Sequence, residues 1–159
     1  MNDVGGLRNE DMISVVSEMN VPVIMMHMQG TPENMQKNPQ YGDVVEDIKE
    51  WLEERISAAE KAGIKRSNII VDPGIGFGKN LKHNLELLGR LSEFKGMAGG
   101  VLLGASRKSF IAMMTGNEKG DRLTGSLSAA IMGVTGGVDI LRVHDVKETL
   151  SAVNVVNIL

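Results

Sequence analysis

Three short apolar segments of this chain each end in residues that could bind a small anion. Asp72 closes the first segment, and the stretch 106–109, Ser-Arg-Lys-Ser, follows the second. Arg142 and His144 close the third. Guanidinium and ammonium groups bind anionic oxygens through charge-assisted hydrogen bonds. In a chain whose formal net charge is −3, this pattern predicts one shared anion-binding site.

Composition limits the class of protein. The 159 residues fit one domain spanning 1–159, and 42% of them are apolar. Aromatic residues are only 3%, so Leu, Ile, Val and the 11 Met must fill the core. The net charge of −3 argues against a general nucleic-acid binder or a polybasic membrane surface. The absence of cysteine excludes disulfides and thiolate zinc sites.

Neither a membrane span nor a leader peptide is expected. No apolar run approaches the length of about 18 residues that a membrane-spanning helix needs. The N-terminus lacks a charged segment followed by an apolar one. These features predict a cytoplasmic protein.

Apolar periodicity predicts alternating helices and strands. Asp43 with Glu46, and Asp145 with Glu148, have the spacing of helix capping boxes. Helices are expected over 9–19, 44–62, 81–91, 109–114, 123–135 and 146–158. Strands are expected over 21–26, 68–71, 100–103 and 138–141, with a long loop over 27–42 and a polar loop over 115–122.

Short apolar strands separated by helices indicate parallel βα units with both sheet faces covered. A doubly wound sheet and a (β/α)8 barrel both meet this description, and both bind ligands at the carboxyl ends of their strands. The stretch 1–6 has the pattern of a strand end followed by its loop, which gives at most five strands. A full barrel needs about 250 residues.

Four ordered motifs resemble those of dihydropteroate synthases. The stretches 26–36, 72–79, 104–110 and 142–146 are similar to the segments that follow the fifth to eighth barrel strands of that family. The stretch 2–4 resembles the end of the fourth strand. The similarity covers essentially the whole chain in order, which makes it far more specific than any single motif.

The resemblance implies an α/β fold that is a partial (β/α)8 TIM barrel of about five βα units, without the N-terminal strands. The family condenses 6-hydroxymethyl-7,8-dihydropterin pyrophosphate with p-aminobenzoate, giving dihydropteroate and pyrophosphate for folate biosynthesis. Mg²⁺ would accompany the pyrophosphate, with its family ligand in the portion before the fourth strand. A homodimer is also implied. The alternative is a catalytically inactive pterin-binding fragment that self-associates or pairs with an N-terminal part.

The resemblance also implies the residues of a pterin site. Asp72 would accept hydrogen bonds from the pterin edge, although spacing alone leaves it equally open to forming a turn before Pro73. Asn2 would bind the same ring or be a disordered terminal residue. Met26 would be an apolar wall of the pocket or a core residue.

The same comparison assigns the diphosphate site. Lys108, Arg142 and His144 would be catalytic, because cations stabilise the charge that develops on a departing pyrophosphate. The other interpretations are a surface ion pair for Arg142 and a structural role for His144. Gly76 lies in a Gly-x-Gly-x-Gly series, which alone is only a weak indication of phosphate approach.

Three further residues complete the expected substrate contacts. Ser109, at a helix N-terminus, would face the carboxylate of p-aminobenzoate, and it could also cap the helix. Phe77 would form a wall for the aminobenzoate ring or pack within its own loop. Arg107 would flank the pterin or remain solvated.

Two other enzyme classes compete with this interpretation. A methyltetrahydrofolate-dependent methyltransferase uses a similar pterin barrel, but the stretch 106–110 and the Arg142-x-His144 pair fit diphosphate chemistry better. A different phosphate-binding barrel enzyme would not be expected to carry all the motifs in this order.

Overall fold

The computed structural model describes residues 1–116 and 120–157. Its parallel sheet has the strand order β1-β2-β3-β4-β5, which is also the order along the chain. The strands are β1 (Asn2–Asp3), β2 (Val23–Met26), β3 (Ile69–Asp72), β4 (Gly100–Leu103) and β5 (Ile140–Leu141). The register pairs Met26 with Asp72, so β2 and β3 end at the same level.

Helices follow the strands, as parallel connections require. They are α1 (Glu10–Met19), α2 (Val44–Lys61), α3 (Leu81–Gly89), α4 (Ser109–Thr115), α5 (Leu123–Thr135) and α6 (Val146–Val156). The end predicted for the last helix, at 158, lies outside the described residues, as does part of the polar loop predicted over 115–122. No helix in the described ranges is long and apolar enough to span a bilayer.

The core lies between the sheet and its helices, and α2 shows why the sequence folds this way. The Asp43 side chain accepts hydrogen bonds from the amides of Val45 and Glu46, so the predicted N-cap is confirmed. The Glu46 carboxylate accepts from Lys49 and does not complete the predicted capping box. Residues at helical spacing then form one buried face that packs on the core, comprising Val44, Val45, Ile48, Leu52, Ile56 and Ala59. Gly63 follows the helix with φ +91°, a conformation that favours glycine.

The capping box predicted at Asp145 is wrong. The Asp145 side chain makes no cap hydrogen bond to α6. It accepts two hydrogen bonds from Arg107 instead, with Nε–Oδ2 at 2.8 Å and Nη2–Oδ1 at 2.7 Å. A bidentate guanidinium–carboxylate pair is stronger than a bond to a neutral backbone amide, so Asp145 binds Arg107 instead of capping the helix.

Candidate functional site

Arg142 bridges the two edges of the sheet. It follows β5, and its guanidinium donates to Asn2 Oδ1 at 2.7 Å and to Asp72 Oδ2 at 2.9 Å. Gly104, just after β4, makes room for this arrangement, because a Cβ there would lie 2.5 Å from Arg142 Nη2. The structure therefore brings together three predicted residues from β1, β3 and the segment after β5.

The Asp72 carboxylate is buried, with a side chain only 1% exposed. Its Oδ1 accepts from the Gly74 amide at 2.8 Å, while Oδ2 accepts from Arg142. Each carboxylate oxygen has a second lone pair. A ligand that reaches Asp72 must therefore share this carboxylate with Arg142 or displace the guanidinium.

Lys108 lies beside the loop that follows β3. Its Nζ donates to the Ile75 carbonyl and lies 4.5 Å from the centroid of the Phe77 ring. Gly76 has φ +82°, and a Cβ there would lie 3.1 Å from Lys108 Cδ. Burial lowers the pKa of Lys108 to about 8, with Asp72 acting to raise it and Arg142 to lower it. Three more predicted residues thus lie together.

His144 is oriented by Ser106. The His144 amide donates to Ser106 Oγ at 3.2 Å, and its ring Nδ1 lies 3.1 Å from the same oxygen. If the hydroxyl donates to Nδ1, a neutral imidazole carries its proton on Nε2, from where it can be donated to an anion.

One small pocket contains the three residues predicted to be catalytic. Its volume is about 190 Å³, and it is lined by Gly104, Ser106, Lys108, Arg142, Val143 and His144. Pockets that enclose whole organic ligands typically measure about 300–1,000 Å³. This pocket therefore suits an anionic group of a ligand rather than the complete molecule.

Arg107, Ser109 and Met26 are among the predicted residues that do not line that pocket. Arg107 is exposed, has φ +57° and pairs with Asp145, so its guanidinium is directed to α6. Ser109 is the first residue of α4 and is exposed. Met26 is completely buried at the end of β2, which places it among the core residues.

No individual role was predicted for Lys79, His27, Ser106 or Gly104. Lys79 is only 3% exposed, and its Nζ lies 2.9 Å from both His27 Nδ1 and the Phe77 carbonyl oxygen. No pattern of residue types distinguishes this lysine from a solvated one. The roles of Ser106 and Gly104 depend on His144 and Arg142, which are 38 residues further along the chain in each case.

The parallel βα units and the cationic pocket at the carboxyl ends of the strands define an α/β protein with a candidate site for an anionic ligand. Residues 1–144 match the model of a family described as pterin binding enzyme. The chain belongs to this family of pterin-binding enzymes, as the ordered motifs predicted.

Individual relatives agree with this assignment. The dihydropteroate synthase of Escherichia coli (strain K12) is 43% identical over 156 residues, which are 98% of this chain and 55% of that protein. A Thermus thermophilus dihydropteroate synthase in complex with 6HMPPP is 40% identical with a TM-score of 0.93, over 99% of this chain and 63% of that one. The Thermus thermophilus enzyme in complex with 4-aminobenzoate is also 40% identical with a TM-score of 0.93, over 99% of this chain and 62% of that one. The chain spans about half the length of the curated relatives it matches.

Proposed function

We propose that this chain acts in the dihydropteroate synthase reaction. In that reaction a dihydropterin diphosphate and 4-aminobenzoate (p-aminobenzoate) combine to give dihydropteroate and pyrophosphate. The observation that carries the proposal is the shared pocket of Lys108, Arg142 and His144 directly beside the buried Asp72. The complexes of the Thermus relative with 6HMPPP and with 4-aminobenzoate support it.

The site suits the departure of a diphosphate. The bond between the pterin methylene carbon and the diphosphate oxygen breaks, a carbon–nitrogen bond forms to the aryl amine, and the amine loses one proton to solvent. Negative charge develops on the departing oxygen. The Arg142 fork, the Lys108 ammonium and the His144 ring are held in advance where they can stabilise that charge.

The ring-binding side of the site would use the neighbouring residues. Asp72 and Asn2 would bind the pterin through the oxygens that now accept from Arg142, and Met26 would support them from the core. Phe77, half-buried beside Lys108, would contact the aminobenzoate ring, and Ser109 would face its carboxylate.

The described residues do not form a metal site of their own. Within 1–116 and 120–157, no three His, Asp or Glu side chains form a group that could hold a metal. We propose that Mg²⁺ accompanies the diphosphate, with its family ligand in the part of the barrel before the fourth strand, as the resemblance implies. The chemistry above assigns no step to this ion.

The cellular setting is also part of the proposal. We propose that the protein is a one-domain homodimer, as the family resemblance implies, and that it acts in the cytoplasm. Sedimentation would give the expected twofold mass, whereas a monomer at all concentrations would contradict the dimer.

Two measurements test the function. Calorimetry with the dihydropterin diphosphate should show binding, and an assay for pyrophosphate release should show turnover that requires 4-aminobenzoate. The assay is repeated with an added N-terminal fragment of a dihydropteroate synthase. Binding with no turnover in either assay would favour the inactive pterin-binding fragment. No binding at millimolar ligand would contradict the proposal.

A further inference from the structure

Lys79 is a buried charge that the proposed chemistry does not use. It follows the loop 73–78 and precedes Asn80, the N-cap of α3. Burying an ammonium is costly unless it is hydrogen-bonded and compensated by an opposite charge. Its Nζ has two partners, at 2.9 Å each, and Asp72 supplies the negative charge nearby. At 3% exposure, Lys79 is too buried to touch a substrate directly.

His27, the side-chain partner of Lys79, is held rigidly. Its ring lies edge-on to Trp51, with the ring centroids 5.0 Å apart and the planes at 88°. Burial lowers the pKa of His27 to about 2, and Lys79 and Arg8 act in the same direction. The imidazole is therefore neutral and can accept a hydrogen bond from the ammonium at Nδ1. Its amide also donates to the Asp72 carbonyl at 2.9 Å.

The other partner of Lys79 is the main chain of Phe77. Lys79 Nζ donates to the Phe77 carbonyl, while the Phe77 amide donates to the Gly74 carbonyl at 3.0 Å. Gly74 itself lies against the backbone of His27, because a Cβ on Gly74 would lie 1.9 Å from the His27 carbonyl oxygen. The loop after β3 thus contacts the segment after β2 through both backbone and side chains.

We propose that Lys79 is a positioning residue for Phe77. Its Nζ group connects the rigid His27 ring to the Phe77 carbonyl, and this fixes the loop 73–78 so that the Phe77 ring lines the place where 4-aminobenzoate would bind. This inference rests on the proposed function for the identity of the ligand. It predicts that loss of the Lys79 Nζ group acts on the aminobenzoate side of the site and leaves the diphosphate pocket intact.

The test compares the parent chain with Lys79→Met and Lys82→Met. Methionine keeps the length of the side chain without the charge, and Lys82 is an exposed lysine of α3 that serves as the matched control. Amide hydrogen exchange is followed at Gly76, whose N–H donates to Asn84 Oδ1 at 2.7 Å, and at Phe77. Calorimetry then measures two affinities. One is the affinity for 4-aminobenzoate with inorganic pyrophosphate present, and the other is the affinity for pyrophosphate alone.

In Lys79→Met we expect the two loop amides to exchange about tenfold faster, while amides of β3 keep the parent rate. The affinity for 4-aminobenzoate should fall by about tenfold and that for pyrophosphate by less than about threefold. Lys82→Met should match the parent in every measurement.

Parent-like exchange at both loop amides would overturn the inference, as would an equal acceleration throughout β3, which would indicate general destabilisation. The exchange measurement needs no ligand. It therefore decides the inference even if the parent binds no 4-aminobenzoate, a result that would count against the proposed function instead.

Discussion

The guanidinium of Arg142 lies 2.7 Å from Asn2 Oδ1, although 140 residues separate them and they belong to opposite edges of the sheet. The sheet must curl for its first and last strands to meet across one side chain. Asp72, on the central strand, binds the same guanidinium. The Arg142 guanidinium thus connects the first strand, the central strand and the segment after the last strand.

Replacing Arg142 by Ala should weaken pyrophosphate binding and stability together. Loss of charge-assisted hydrogen bonds should weaken the binding free energy by about 1.5–3 kcal/mol, which raises the dissociation constant by about 10–150-fold. Asp72 would lose its direct cationic partner, which should lower the free energy of unfolding by about 1–2 kcal/mol, given that Arg142 is 40% exposed. Calorimetry and urea denaturation measure the two effects.

The double variant Arg142→Ala with Asp72→Asn is the companion test. A carboxamide needs no counter-cation, so this variant should regain stability but not pyrophosphate affinity. An unchanged dissociation constant in Arg142→Ala would assign the residue a structural role only.

Gly104→Ala should displace the guanidinium without changing any charge. The added Cβ would lie 2.5 Å from Arg142 Nη2, which is closer than real contacts allow. We expect pyrophosphate affinity to fall by about tenfold, as for the loss of one charged hydrogen bond. Gly89→Ala is the control, because nothing lies within 4 Å of a Cβ there. Equal affinity in the two variants would show that Arg142 binds anions from another position.

Pyrophosphate binding should weaken as the pH rises through about 8. Burial lowers the pKa of Lys108 to about 8, so above this pH the free protein loses the ammonium that faces the anion. An anion raises that pKa, and the affinity should therefore fall by up to about tenfold per pH unit. The variant Lys108→Met should lack this dependence. Pyrophosphate itself also titrates in this range, but it does so equally in measurements on the parent and on the variant, so the ratio of their dissociation constants isolates Lys108. A ratio of the two dissociation constants that stays constant between about pH 7 and 10 would remove Lys108 from the site.

Lys79 should make the protein more stable at alkaline pH. Burial lowers its pKa to about 7 in the folded chain, with Asp72 acting to raise it and Lys108 to lower it, while the neutral His27 accepts its hydrogen bond. Between about pH 7 and 10.5 the unfolded chain therefore holds one more proton, and the free energy of unfolding rises by up to about 1.4 kcal/mol per pH unit.

Urea denaturation of the parent and of Lys79→Met across this range isolates the contribution of Lys79. The variant should show a flatter pH dependence, and the exposed Lys82→Met should keep the parent slope. Superimposable slopes for the parent and Lys79→Met would mean that Lys79 titrates as a solvated lysine.

Arg107 should tolerate glycine better than alanine. Its φ of +57° is unfavourable for a residue with a Cβ, so Arg107→Gly relieves strain that Arg107→Ala retains. Both variants lose the ion pair with Asp145. The glycine variant should therefore be more stable than the alanine variant by about 0.5–1 kcal/mol in thermal or urea denaturation. Equal stabilities would show that the left-handed conformation is relaxed without the side chain.

The elements that position the site could largely be predicted from local patterns. The strand at 100–103 and the helix at 123–135 have the predicted bounds, because their apolar spacing and flanking glycines specify them locally. Parallel topology then placed Asp72, Lys108, Arg142 and His144 at one end of the sheet.

What the sequence could not provide were contacts between distant segments. The cap predicted at Asp145 fails because Arg107 competes for the carboxylate from 38 residues away. The burial of Lys79 depends on His27, which is 52 residues distant. Met26 and Asp72 show the same limit, since residue type alone does not reveal which polar or apolar side chains the strands enclose.

The edge-on contact between Trp51 and His27 gives this protein an intrinsic optical reporter. Trp51 is the only tryptophan in the chain, and its indole lies against the imidazole that accepts from Lys79. Any rearrangement of that imidazole changes the surroundings of the indole and therefore its fluorescence. Ordering of the neighbouring loop can thus be followed on the millisecond timescale by stopped-flow mixing, without a dye and without altering a single residue.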